Sequence, residues 1–333
     1  MGSLGCHVRG LAWRDGELID DDVTAEEVAD VARADGAIAW VDLLRPSAAD
    51  LTALAERLDL APTAVDDILS AHERPKVTRH GRILYFTVYS APLVTDTEHP
   101  AEERLVTNRI SGLVLPNMLV TIRLDDRFMM EPIVARWQDN HDLLKSGVGA
   151  LLHGLLDAVV DEHFDTIQKL DDEIELLEDA LFDDGPTDAR FVQRVYRFRK
   201  DLVALRRVVL PMREVVNALV RNRTRDGSDL DHWYDDLYDH VLRASEWTES
   251  LRDLVTTIFE ANLSLQDSRL NMIMKKLAGW AAIIAIPTAI TGWFGQNVPY
   301  PGFDKPLGLW LSVILIVMLS GGLYVMFRRR DWL

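Results

Sequence analysis

Stepping from Glu260 by alternating fours and threes, the chain presents Ser264, Asp267, Asn271, Met274, Ala278, Ala281, Ala285, Thr288, Gly292 and Gly295. Every one of these is small or polar except Met274. A period of about 3.5 residues keeps them on one stripe of a helix, and identical copies of such a helix can pack around one axis. Carboxylates and amides along a water-filled path of that kind can replace part of a cation's hydration shell. The plain alternative is a small-xxx-small stripe that only lets helices approach closely. Glu260, Asp267 and Asn271 favour the water-filled path, because a packing seam would be apolar there.

Other groups that could do chemistry read more plainly. Asp171 to Asp184 carries eight acids in fourteen residues; it could concentrate cations but reads first as a solvated face. Asp226 to Asp231 resembles a calcium loop only loosely, without the glycine order or the bidentate glutamate, and reads as a turn and helix cap. His72, His80, His153, His163, His232 and His240 are scattered and form no histidine pair at helical spacing. One cysteine, Cys6, excludes an internal disulfide and a thiolate zinc cluster. No nucleophile elbow, phosphate loop or dinucleotide-type glycine run is present, which argues against an enzyme. With 36 Lys+Arg against 53 Asp+Glu, the net charge of −17 argues against nucleic acid.

The stripe must be held by a long helix, and the chain offers one. Between Asp229 and Ile286 there is no proline and only one glycine, Gly279. These residues would form a rod of about 87 Å leading straight into Leu277 to Gln296, which is uncharged over 20 residues. Leu307 to Phe327 is uncharged over 21. Each reaches about 30 Å, enough to span a hydrocarbon core. Lys275-Lys276 before the first span and Arg328 to Arg330 after the second both read as cytoplasmic by the positive-inside rule. The loop 297–306 then lies outside, and both termini lie inside. Residues 1–22 are mixed and charged, so no secretory signal is expected. The expected location is the plasma (inner) membrane.

Upstream, residues 1–142 read as an α/β domain. Ile38 to Leu43, Ile83 to Tyr89, Ile110 to Leu115 and Met118 to Arg123 are strand candidates rich in β-branched and aromatic residues. Thr24 to Ala34 opens with the capping-box pair Thr24 and Glu27, and Ser47 caps a helix running to Leu58. The strand order is not legible. Residues 143–276 are helical: one helix over Ala150 to Phe182, closed by Gly185-Pro186, a second over Thr187 to Asn222 with Pro211 as a kink, then the long stalk. The third part, 277–333, holds the two spans.

Asn271-Met-Ile-Met-Lys-Lys-Leu277, Pro287-Thr288 and Gly295-Gln296-Asn297 before Val-Pro-Tyr-Pro resemble the signature of the CorA family of divalent-cation channels. That family carries Gly-Met-Asn at the outer end of its first span. Trp40-Val-Asp-Leu43, His72-Glu-Arg-Pro-Lys76, Leu210-Pro-Met-Arg-Glu214 and Tyr238-Asp-His240 are further matches. The resemblance implies a funnel-shaped homopentamer with an α/β cytosolic domain, stalk helices and two spans per subunit. It implies Mg²⁺ as the transported and regulatory ion, Co²⁺ and Ni²⁺ as relatives' substrates, a zinc-transporting branch and no organic cofactor. It maps the selectivity filter to Gly295, Gln296 and Asn297, and the inner polar ring to Asn271. The gate maps to Met274 and Leu277, and a pore threonine to Thr288. Glu260, Ala281 and Ala285 line the same path. A regulatory cation site maps to Asp236, with Asp96 and Glu98 as partner candidates.

Two departures bear on ion identity. Gln296 stands where the family has methionine, and the outer loop lacks the usual acidic Met-Pro-Glu-Leu, holding only Asp304 beside Lys305. Mg²⁺ sheds water reluctantly and prefers oxygen, which amide side chains supply. Zinc recruits His or Cys, and neither occurs in the spans or the outer loop, which favours magnesium. The reading from another class is a membrane-anchored cation sensor that does not conduct.

Overall fold

The computed structural model describes residues 5–24, 27, 36–58, 68, 73–81, 83–95, 103–182, 189–222, 230–296, 299–300, 302–303 and 305–332. It divides into two compact units, Met1–Thr256 and Thr257–Leu333.

The first unit is built on strands β1 (His7–Arg14), β2 (Glu17–Asp20), β3 (Ala37–Leu44), β4 (Lys76–His80), β5 (Ile83–Ser90), β6 (Leu93–Thr95), β7 (Glu103–Leu105), β8 (Asn108–Val114) and β9 (Met118–Arg123). Seven of them form one sheet in the order β2-β1-β3-β9-β8-β5-β4, and β6 pairs with β7 apart from it. Among the described strands only β3 and β9 pair in parallel, Trp40 lying opposite Leu119 and Asp42 opposite Thr121. The strands expected at 38–43, 83–89, 110–115 and 118–123 are β3, β5, β8 and β9 within a residue or two. The β1–β2 hairpin was not anticipated. Its turn is Asp15-Gly16, at φ 54° and 85°, the left-handed pair that tight hairpins require.

Alternation along each strand sends side chains to opposite faces. Ala39, Val41, Leu113, Val120 and Ile122 meet Leu51 and Leu54 of helix α1 (Ala48–Arg57) on one face. Trp40, Phe86, Val88, Ile110 and Leu119 go to the other. That face is covered by α2 (Glu131–Asp139), α3 (His141–Leu144), α4 (Val148–Phe182) and α5 (Ala189–Asn222), with Tyr234, Leu237 and Val241 from α6 (Leu230–Phe294). Both faces of the sheet are therefore packed, as an α/β architecture requires. Helix α1 begins as its sequence indicates, with Ser47 and Asp50 forming a reciprocal capping box. Thr24 also meets Glu27 as expected, at 2.7 Å between hydroxyl and carboxylate, but the rest of that expected helix lies outside the described residues.

Two local features hold the sheet to its helices. Trp137 of α2 packs edge-on against Trp40 with ring centroids 5.3 Å apart. It reaches that position only because α4 carries Gly154, where a Cβ would stand 2.5 Å from the indole Nε1. Between β3 and β9, Arg123 donates to Asp42 Oδ2 at 2.5 Å and Thr121 donates to Asp42 Oδ1 at 2.6 Å. Trp40 Nε1 donates in turn to Thr121. This buried network accounts for Trp40 and Asp42 of the Trp-Val-Asp-Leu segment as structural residues.

The second unit holds the C-terminal part of α6 and helix α7 (Pro306–Arg329). Both helices are long and apolar enough to cross a membrane. The expected long helix is one continuous element of 65 residues, and Pro287 sits inside it without ending it.

Candidate ion pathway

On the C-terminal part of α6, Gly279 is buried, and Ala282, Ile283, Ile286, Ile290 and Phe294 are half-buried. Glu260, Ser264, Asp267, Asn271, Met274, Ala278, Ala281, Ala285, Thr288, Gly292 and Gly295 are all exposed. At about 100° per residue the covered and the small-polar positions point in roughly opposite directions. Helix α7 has its own covered face at Gly308, Ser312, Leu315, Ile316, Ser320, Leu323 and Phe327. Trp280 leans on Tyr324 across the pair, at 6.4 Å between ring centroids. The stripe therefore stays uncovered in the single chain, while Met274 and Leu277 are each 63% exposed at the expected gate.

Along the stripe the backbone leaves room at its outer end. A Cβ at Gly292 would meet nothing within 4 Å. At Gly295 it would meet only backbone of its own helix, nearest the Thr291 carbonyl at 3.0 Å. Thr288 donates its hydroxyl proton back to the Ile284 carbonyl at 3.1 Å, so its oxygen lone pairs stay available on the exposed side. Pro287 carries no N–H, which leaves the Ile283 carbonyl without its helical donor.

Beyond the expected filter residues lies an aromatic brace that the sequence pattern did not reveal. Tyr300 packs edge-on between Phe294 at 5.0 Å and Phe303 at 5.3 Å, and its hydroxyl donates to the Phe294 carbonyl at 3.2 Å. Gly302, at φ 95°, lies so close to the start of α7 that a Cβ on Gly308 would fall 2.6 Å from the Gly302 carbonyl oxygen. The signal was the pair of aromatic residues Tyr300 and Phe303 in a loop that was read only for its position outside and its paucity of acidic residues. Gln296 is exposed next to this brace. Asn297 and Asp304 lie outside the described residues.

The residue expected for the regulatory half-site lies toward the other end of α6. Asp236 is largely exposed, with its carboxylate 3.7 Å from His240 Nε2. Asp96 and Glu98 lie outside the described residues. Among the described residues no group of three or more His, Cys, Asp or Glu side chains is assembled as a metal cage.

An α/β unit followed by two helices long and apolar enough to cross a membrane fits a membrane protein with a large soluble part. Residues 35–329 match the family described as CorA-like Mg²⁺ transporter protein, and the chain belongs to that family. It is a divalent-cation transporter and not an enzyme. The cobalt/magnesium transport protein CorA of Thermotoga maritima is 26% identical over 304 residues, which cover 88% of this chain and 83% of that protein. The protein of the same description from Methanocaldococcus jannaschii is 26% identical over 318 residues, 94% of this chain and 97% of that one. The complete structure of the CorA magnesium transporter from Methanocaldococcus jannaschii superposes with a TM-score of 0.73 at 23% identity, covering 97% and 98% of the two chains. That similarity establishes a shared fold.

Proposed function

We propose that this chain forms a homopentameric channel of the plasma membrane that admits Mg²⁺, and Co²⁺ or Ni²⁺ less selectively, and closes when cytosolic divalent cation rises. The observation that carries the reading is the stripe from Glu260 to Gly295, exposed on the face of α6 opposite its covered side. A single chain inserted alone would leave Asn271 and Thr288 against lipid, where unsatisfied polar groups are costly. Five copies facing one axis would give those groups water and ions instead. The proposed layout keeps residues 1–142 and 143–276 in the cytosol, 277–333 in the membrane and 297–306 outside.

In this mechanism Gly295, Gln296 and Asn297 receive the hydrated ion at the outer mouth. Amide oxygens hydrogen-bond its water shell, which suits an ion that dehydrates slowly. Thr288 then supplies oxygen along a path narrowed by Ala281 and Ala285, and Met274 and Leu277 form an apolar constriction that closes by dewetting. Asn271 and Glu260 hold the ion at the inner exit. Asp236, with Asp96 or Glu98 of a neighbouring copy, would bind cation only in the packed, closed state and so stabilise it.

Protein reconstituted into liposomes loaded with a Mg²⁺-sensitive dye should show Mg²⁺ entry that a Zn²⁺ gradient does not reproduce. Silence with every divalent cation would leave the sensor reading, and Zn²⁺ entry without Mg²⁺ entry would leave the zinc reading.

A further inference from the structure

Three segments far apart in sequence converge on a cleft of about 560 Å³ in the first unit. Arg74 comes from the approach to β4, Pro211, Arg213, Glu214 and Asn217 from the middle of α5, and Tyr238 from α6. Neither the pore nor the regulatory half-site uses this cleft. Its size falls within the usual range for small-molecule sites, roughly 300–1,000 Å³.

The chemistry of the lining is selective. Arg74 and Arg213 are both exposed, and neither guanidinium group makes a hydrogen bond or ion pair with any described residue. Unpaired guanidinium groups lining one cleft are unexpected in a chain of net charge −17, where carboxylates are plentiful. The backbone carrying Arg74 is fixed: Tyr89 donates its hydroxyl proton to the Glu73 carbonyl at 2.6 Å, and Lys76 pairs with the Glu73 carboxylate at 2.9 Å. Pro75, next to Arg74, is buried. On α5, Arg213 and Asn217 are one turn apart and share a face. Guanidinium forks match phosphate oxygens in pairs, while Asn217 and the Tyr238 phenol add neutral hydrogen-bonding groups. Glu214 would repel a bare anion, but it suits a hydroxyl or the divalent cation that accompanies a di- or triphosphate.

We propose that this cleft binds a phosphate-bearing metabolite of nucleotide size, with its phosphates on Arg74 and Arg213 and its accompanying divalent cation on Glu214. Calorimetric titration of the full-length protein in detergent with ATP and with inorganic tripolyphosphate, each with and without Mg²⁺, tests it. Saturable binding that strengthens with Mg²⁺ is expected. The double variant R74Q/R213Q should bind at least tenfold more weakly. Glu214→Gln should remove the Mg²⁺ dependence, and Arg243→Gln, exposed outside the cleft, should change nothing. All four substituted positions are exposed, and unaltered melting curves verify that the variants are folded. Equal binding of both probes assigns recognition to the phosphates, whereas binding of ATP alone brings the nucleoside into the cleft; either result upholds the site. Absence of saturable heat with both probes, or a folded double variant that binds like the parent, overturns it whether or not the pore reading stands.

Discussion

Asn297 concentrates the consequences of the pore reading in one side chain. Asn is also a common residue at helix C-terminal ends, so its substitution separates a filter from a plain cap. Asn297→Ala is expected to lower Mg²⁺ uptake at least tenfold while the assembly stays intact, and dye-loaded liposomes with parallel mass measurement read both. Normal flux through that variant would remove Asn297 from the filter. Gln296→Met, which installs the residue that the resemblance implies at this position, should retain transport and shift the preference between Mg²⁺ and Co²⁺ in the same assay. Asp42 makes a different claim, about stability alone. It is 2% exposed and pairs with Arg123 at 9%, so Asp42→Ala leaves a buried guanidinium without its carboxylate. Losses from breaking such a pair run about 3–5 kcal/mol. Denaturant unfolding of the first unit within the full chain should therefore move to clearly lower concentration.

Among the elements, α5 carries a charge that its surroundings oppose. Burial raises the Asp201 carboxyl to about 6, although the Leu105 backbone N–H of β7 favours its ionised form. Glu173 adds to the rise, and Lys200 and Arg104 oppose it. A carboxyl raised in the folded state binds its proton more readily there than in the unfolded chain, so its protonated form supports folding. Stability from this group is fully present below about pH 3.8 and is lost as pH rises from there through about 6. Asp201→Asn, which keeps an acceptor for Leu105 without the charge, should raise the melting temperature at pH 7.5 by a degree or two. The gain should shrink toward pH 5, and a gain independent of pH would mean that ionisation of Asp201 is not the cause. The helices also show why a stripe needs its opposite face: α6 can present small and polar side chains outward only because Ile283, Ile286 and Ile290 turn toward the covered side.

For the whole molecule the prediction is a count. A stripe of period about 3.5 closes a path only with other copies of itself, and the family resemblance implies five, so native mass measurement in detergent should find a pentamer. A stable monomer or dimer as the sole species would refute the shared axis. Assembly of chains with net charge −17 brings like charge together, and divalent cations between copies would offset that repulsion. Asp236→Ala should then weaken inhibition of flux by internal Mg²⁺. Equal inhibition in parent and variant would leave Asp236 as an exposed acid beside His240 in the second turn of α6.

Periodicity is a property of sequence, and what depends on it was readable in advance. The two spans, the single long helix and the stripe from Glu260 to Gly295 follow from uncharged length and 3.5-residue spacing. Strands β3, β5, β8 and β9 follow from runs of β-branched and aromatic residues. The β1–β2 hairpin could have been read from Asp15-Gly16, but His-Val-Arg-Gly-Leu-Ala-Trp-Arg lacks clean alternation, because both ends of β1 are exposed and Gly10 to Trp13 are all buried. The sheet order is another matter. Pairing of β3 with β9 joins residues about 80 positions apart, and its specificity lies in Asp42, Arg123 and Thr121 meeting in three dimensions. The same holds for Gly154 under the Trp137 ring, the Tyr300 brace beside Gln296, and the cleft between Arg74, Arg213 and Tyr238. Spacing along a chain fixes what one helix or strand displays; which displays meet is decided by long-range packing that no local pattern encodes.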